Sequence, residues 1–272
     1  MTSDSNEAPL IDGATRIYGI IGDPIAQVGS PRVFTGRFRA AGINAVMIPL
    51  HVLPARFDET VRALMALANL DGIVITVPYK TRIIPFVDQL RETAKQVGAV
   101  NAMRREPEGT WTGDMFDGRG LVSGLKAHDF SVDDRRVMLI GAGGAGSAVA
   151  FAIAEAGAAA LTLFDVDSDK AAGLAARVSV AYPGCIVQVG PPSTTGQDLL
   201  INATPTGMGP GDGLPAPFGE FDSGLFVVDV ITKPEVTPLL RHAQSCGCRT
   251  MGGRYMLEGQ ANEMMRFFGP GG

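Results

Sequence analysis

The sequence predicts an α/β protein of two units, an open α/β unit followed by a Rossmann-type unit, with the last helix returning to the first. Three observations predict it. Short apolar runs of strand length alternate with longer helix-compatible segments, the pattern of parallel strands joined by right-handed crossovers. One such run, "VMLIG" at 137–141, ends in a glycine-rich turn that passes directly into an alanine-rich segment. Breaks near 115 and near 238 divide the chain into 1–115, 116–238 and a terminal stretch, 239–272, that packs back on the first unit.

The elements follow in order. Residues 17–21, 45–50 and 72–77 read as buried strands of the first unit, and 137–141, 161–165, 185–189, 198–202 and 225–230 as buried strands of the second. Helices are expected over 31–41, 54–68, 144–156, 168–179 and 254–268. Ser30 and Pro31 open the first of these: a serine at the N-cap accepts from an orphan N–H, and proline has none to lose. Such a start also attracts anions. The segment "MRREPEGTWTGD" reads as a hairpin or loop. "GMGPGDGLPAPFGEFDSG" is too rich in glycine and proline for regular structure.

Composition narrows the function. The 272 residues carry a net charge of −5, so no basic face invites nucleic acid. No apolar run reaches the roughly 18 residues of a membrane span, and the polar start "MTSDSNEAP" lacks a signal-peptide core, which makes the cytoplasm the expected compartment. Cys185, Cys246 and Cys248 are odd in number without a Cys-x-x-Cys pair, and His51, His128 and His242 are scattered. Neither a disulfide framework nor a metal site is readable.

The chemistry-bearing signals begin with "IGAGGAGSA". Gly141, Gly143 and Gly146 form a G-x-G-x-x-G after a strand and before a helix: one glycine for a tight turn, one for close approach of backbone to pyrophosphate, one for helix–strand packing. Gly144 and Ala145 complete that loop. At the end of the next strand stand Asp165 and Asp167. A carboxylate there accepts from the ribose 2′-hydroxyl and repels a 2′-phosphate, by about 4 kcal/mol for charges about 4 Å apart at an effective dielectric near 20. NAD is therefore expected over NADP, with Asp165 on the ribose and Asp167 capping the helix from 168. A second signal is "DGIVITVPYK", where a buried strand breaks at Pro78 and delivers Lys80 past its carboxyl end, where open α/β sheets bind ligands. A lysine there can serve as a general base, or be an ordinary surface charge.

In chain order the segments "GDPIAQVGSP", "ITVPYK", "VGAVNAM", "GDMFDGRG", "IGAGGAGSA", "NATPTGM", "DVITKPEVTPLL" and "GGRYMLEGQANEM" resemble the shikimate/quinate dehydrogenase family, from about residue 16 to 268. The resemblance implies a substrate domain built from both chain ends, a nicotinamide domain between them, and hydride transfer between a ring carbinol and the nicotinamide. It implies Lys80 and Asp117 as the catalytic pair. Ser30, Thr76, Asn101 and Gln260 match its substrate-binding positions, and Asn202, Thr204, Met208 and Gly253 lie where the family lines the nicotinamide side. Each has a plainer reading, as cap, strand residue, turn, core or exposed helix position.

The departures are as informative. Val28 replaces a carboxylate-binding serine, Val74 an asparagine, Met115 and Phe116 the Asn-Thr of "NTDG", and Thr232 a tyrosine. They predict weak binding of shikimate itself and a less polar or differently substituted ring as substrate. The expected partner is a small cyclic hydroxy acid of the shikimate or quinate type, gripped differently, on a monomer or homodimer. An NAD-binding sensor with lost catalysis, or a related dehydrogenation such as that of aminoshikimate, is the alternative. The retained Lys80 and Asp117 argue for catalysis.

Overall fold

A computed structural model describes residues 11–269. Strand β1 (Arg16–Gly22) is sealed from Tyr18 onward. It lies between β2 (Ala45–His51) and β3 (Leu70–Ile75), parallel to both. Helix α1 (Ser30–Ala40) joins β1 to β2, and α2 (Phe57–Met65) joins β2 to β3. The expected helix over 54–68 is thus shorter: Pro54–Arg56 form a 3₁₀ turn, and the helix stops at Met65. The strand expected over 72–77 also ends early, because Pro78 has no N–H with which to continue a ladder.

Past β3 the first sheet is mixed: the general expectation of parallel strands gives way there to the hairpin expected as one reading of "MRREPEGTWTGD". Two-residue β4 (Gln89–Leu90) is followed by α3 (Glu92–Val97), β5 (Ala102–Arg105) and β6 (Trp111–Asp114). β5 runs antiparallel to both β3 and β6, in the order β2-β1-β3-β5-β6-β4. The short "EPEGT" link permits only a hairpin there, since a parallel return needs a long crossover.

Helix α4 (Asp117–Ala127) leads to the second sheet, formed by β7 (Arg136–Ile140), β8 (Ala160–Phe164), β9 (Ile186–Val189), β10 (Leu199–Asn202), β11 (Phe226–Asp229) and β12 (Arg249–Met251). All its pairs are parallel, in the order β12-β11-β10-β7-β8-β9. That is the dinucleotide-binding order, with the direction of winding reversing between β7 and β10. Helices α5 (Gly144–Glu155), α6 (Ser168–Ala181) and α7 (Pro238–Ser245) cross its faces. β9 is an edge strand and not the buried one expected, with Ile186 70% and Val189 45% exposed.

The break expected near 238 falls later. α7 and β12 belong with the second sheet, since β12 pairs with β11, and only α8 (Gly253–Phe268) returns to the first unit. There Phe268 packs its ring on Tyr18 and Phe34. Helix α4 is the joint between units, and glycine lets it approach both neighbours: a Cβ on Gly118 would lie 2.2 Å from the Ala148 carbonyl oxygen on α5, and one on Gly120 2.5 Å from that of Met256 on α8. Among the described residues no helix is long and apolar enough to cross a membrane.

Candidate active site

The carboxyl ends of β1 and β3 face the point where the second sheet reverses its winding, and a cavity of about 170 Å³ opens between them. A cavity of roughly 150 Å³ holds a benzene ring, so this one suits a single six-membered ring. Lys80 enters it from the turn after β3. Its carbonyl accepts from the Val100 N–H at 2.8 Å, and its stem lies against Gly144, where a Cβ would sit 3.1 Å from Lys80 Cβ. The lysine is thereby fixed at the seam of the two units.

Opposite stands Asp117, in the first turn of α4, where the helix dipole favours a carboxylate. Lys80 Nζ donates to Asp117 Oδ2, and the two side chains are only 11% and 4% exposed. Asn101 donates through Nδ2 to Asp117 Oδ1 at 2.8 Å and to Gln260 Oε1 at 3.0 Å, while its Oδ1 accepts from the Phe116 N–H at 2.9 Å. A single hydrogen-bonded chain thus runs Gln260, Asn101, Asp117, Lys80. Both amide protons of Asn101 are spent inside the protein, so it orients Asp117 and Gln260. The amide nitrogen of Gln260 has no partner among the described residues and is left to the cavity.

Ser30 lines the same cavity, and here the expected cap is corrected. Gly29 is the N-cap of α1, Ser30 is the first helical residue, and no side chain caps the helix. The Ser30 hydroxyl, in a residue only 5% exposed, has no partner among the described residues and opens to the cavity. Thr76 also lines it, its methyl turned toward Gly22. Val28, Val74 and Thr232 are present as well. From the second unit come Ala145, Thr204, Met208 and Gly253. Met256 and Leu257 of α8 also line the cavity.

The glycine-rich turn adjoins this cavity at the end of β7. Gly141 has φ +102°, a left-handed conformation that favours glycine, and a Cβ on Gly146 would lie 1.9 Å from the Gly141 carbonyl oxygen. Gly143, the middle glycine, has nothing within 4 Å of a built Cβ. That open face precedes the N-terminus of α5, where aligned N–H groups suit a pyrophosphate. Asp165 holds the turn from the side, its Oδ2 accepting from the Ala142 N–H at 2.6 Å and its Oδ1 from the Asp167 N–H at 2.9 Å. Asp167 caps α6 by accepting from the Lys170 N–H at 3.2 Å, and its carboxylate also draws Lys170 Nζ to 3.1 Å. Between them Val166 is 94% exposed.

Asn202, expected beside the cofactor, is placed otherwise. It is fully buried and saturated: Nδ2 donates to Asp229 Oδ1 and to the Thr206 carbonyl, each at 3.2 Å, and Oδ1 accepts from the Thr204 N–H at 3.0 Å. It shapes the loop that carries Thr204 and Met208 and touches no open space. Its partner Asp229 escaped sequence reasoning. Asp229 accepts from Thr237 Oγ1 at 2.7 Å and from the Ile231 N–H at 3.1 Å, and burial pushes its carboxyl up to about 6. The signal was present, since Asn202 and Asp229 stand in register as polar ends of adjacent apolar strands.

Comparison with known proteins gives one family. Residues 20–103 match the model of the shikimate dehydrogenase substrate binding domain. The chain is 36% identical over 264 residues to the shikimate dehydrogenase (NADP(+)) of Rubrobacter xylanophilus, covering 95% of this chain and 92% of that one. It is similar to the crystal structure of shikimate dehydrogenase from Aquifex aeolicus, with TM-score 0.85 and 31% identity over 95% of this chain and 94% of the other. It is also similar to the ligand-free 5-ketofructose reductase of a Gluconobacter strain, with TM-score 0.79 and 30% identity over 93% and 92%.

Proposed function

The chain belongs to the shikimate dehydrogenase family and is an NAD(P)-dependent oxidoreductase acting on a CH–OH group; from that premise we propose that it oxidises and re-forms a secondary alcohol on a small, shikimate-like ring, with Lys80 and Asp117 handling the proton. The observation that carries the reading is the chain Gln260–Asn101–Asp117–Lys80, assembled at the seam of the two units beside a preformed dinucleotide turn. A nicotinamide dinucleotide, when bound, supplies the hydride acceptor or donor. The open face of Gly143 and the start of α5 would hold its pyrophosphate, and Asp165 its ribose hydroxyls.

The chain's own residues do the rest. As the neutral amine Lys80 Nζ takes the hydroxyl proton while the carbinol is oxidised, and as the ammonium it returns that proton in reduction. Asp117 holds that nitrogen in place and offsets its charge, while Asn101 keeps the carboxylate from turning away. Ser30, Thr76 and Gln260 present their free polar atoms to the ring's other hydroxyls. The neighbours on α8 and the second unit's loops, Met208 and Met256 among them, wall the reacting carbon from water.

NAD is the proposed cofactor. The Rubrobacter relative's name carries NADP(+), so the preference rests on this chain's own residues. Asp165 and Asp167 would meet a 2′-phosphate with negative charge, exposed Val166 offers no cation, and Lys170 is drawn to Asp167. The test is kcat/KM for both cofactors with a panel of ring alcohols. We expect NAD to lead by about tenfold or more, as a charge clash of a few kcal/mol requires, and a Val166→Arg, Asp165→Ser double variant to narrow the gap. An NADP lead in the parent would refute the cofactor assignment. NAD binding without turnover of any ring alcohol would favour a sensor.

A further inference from the structure

The cavity carries charge at one end only, and that bears on the substrate. Lys80 is the single cation among the described residues lining it, and its ammonium is already engaged by Asp117. Arg119, the nearest arginine on α4, is turned elsewhere, to Asp114 at 3.1 Å and Glu263 at 3.1 Å. Arg254, next to Gly253, pairs with Glu258 at 2.8 Å.

Around Val28 and Val74 the wall is apolar, and the other polar lining residues are uncharged apart from Asp117. Val74 stands beside Ile20 across the β1–β3 ladder and beside Ala102 across the β3–β5 ladder. Val28 and Met264 join the same apolar cluster, which includes Phe116 behind them. The N-terminus of α1 opens here, and Pro31 removes one of its free N–H groups. The Ser30 hydroxyl and the Gln260 amide can meet hydroxyl groups, but neither supplies charge. A carboxylate placed against Val28 and Val74 would lose its water and gain no cation.

We propose that the substrate of this site is uncharged: a small polyhydroxy ring alcohol or ketone whose substituent against Val28 and Val74 is an apolar or neutral group in place of a carboxylate. This rests on the dehydrogenase reading above and specifies its substrate class. Ser30, Thr76 and Gln260 then select hydroxyls, and Val28 with Val74 rejects anions.

The experiment uses matched pairs: shikimate and quinate, each with its methyl ester and its hydroxymethyl analogue, assayed for turnover with NAD and for binding by calorimetry on the intact protein. The neutral member of each pair is expected to lead in kcat/KM by about tenfold or more, the cost of desolvating an unmatched polar group. Val28→Arg, which places a guanidinium at the apolar end, is expected to reverse the order. Equal use of both members, or a lead for the acid, overturns the proposal even though the dehydrogenase reading survives. If NAD binds but no member of any pair binds or turns over, the proposal falls. If neither NAD nor NADP binds, the dehydrogenase reading falls with it.

Discussion

Asn101→Ala tests the hydrogen-bonded chain most directly, because Asn101 makes three bonds and leaves no proton for substrate. The substitution strips the Phe116 N–H of its acceptor, Asp117 Oδ1 of a donor and Gln260 Oε1 of another, at 2.9, 2.8 and 3.0 Å. The last two border the cavity, where water can replace the amide. The Phe116 N–H is buried and cannot be rescued that way, so about 1–3 kcal/mol of stability is lost. At roughly 2–4 °C per kcal/mol for a chain of this size, the melting temperature should fall by about 2–12 °C. Turnover should suffer more, since Asp117 is then held on one side only: kcat/KM is expected to drop by about 10- to 100-fold, with NAD affinity unchanged because none of the hydrogen bonds of the Asn101 side chain reaches the glycine-rich turn. Asn101→Asp keeps an acceptor for Phe116 but sets a second carboxylate beside Asp117, a repulsion of about 4 kcal/mol at about 4 Å that outweighs the recovered hydrogen bond. It should therefore unfold at a lower temperature than Asn101→Ala and recover none of the turnover. Thermal unfolding and nicotinamide absorbance measure the two sides. A folded Asn101→Ala protein whose kcat/KM stays within about threefold of the parent would refute the positioning role.

Other consequences are as direct. Lys80→Met should lower kcat by about 10²- to 10⁴-fold, the usual contribution of a proton-transfer group, and leave NAD binding intact by fluorescence titration. Gly146→Ala drives a methyl to 1.9 Å from the Gly141 carbonyl oxygen, so the turn must open; calorimetry should show NAD binding lost in a protein whose first unit remains folded. Asp229 gives a pH signature. Its carboxyl is raised from 3.8 to about 6, so between those values the native state holds a proton that the unfolded chain has released, and stability declines as pH rises through the window by about 3 kcal/mol. Asp229→Asn should flatten that decline in urea unfolding from about pH 4 to about pH 7. An equally steep decline in the variant would show that another group causes it.

Most of the chain's local structure could be read from residue order. The apolar runs of β1, β2, β7, β8, β10 and β11 and the glycine turn before α5 follow from periodicity and steric need, which are properties of neighbours in sequence. The hairpin of β5 and β6 was legible from its short polar link. Edge exposure was not: β9 looks as apolar as a central strand, and only pairing on one side leaves Ile186 in water. Nor was the membership of β12, a strand of three residues whose partner is 23 positions upstream in register.

At the site, the sequence by itself determined which chemical groups are available: one lysine after a broken strand, one aspartate ahead of a glycine-rich helix, and the acidic pair that suits a ribose. Tertiary structure decided what each group faces. Ser30 looks like a helix cap until the fold makes Gly29 the cap and frees the hydroxyl, and Asn202 looks like a cofactor contact until β11 brings Asp229 to bury and saturate it. The physical reason is common to both. Hydrogen-bond donors and acceptors are assigned by residue type, but whether they are spent within the protein or left for a ligand depends on partners far apart in sequence, as Asn101 and Gln260 are, and only packing brings them within 3.0 Å.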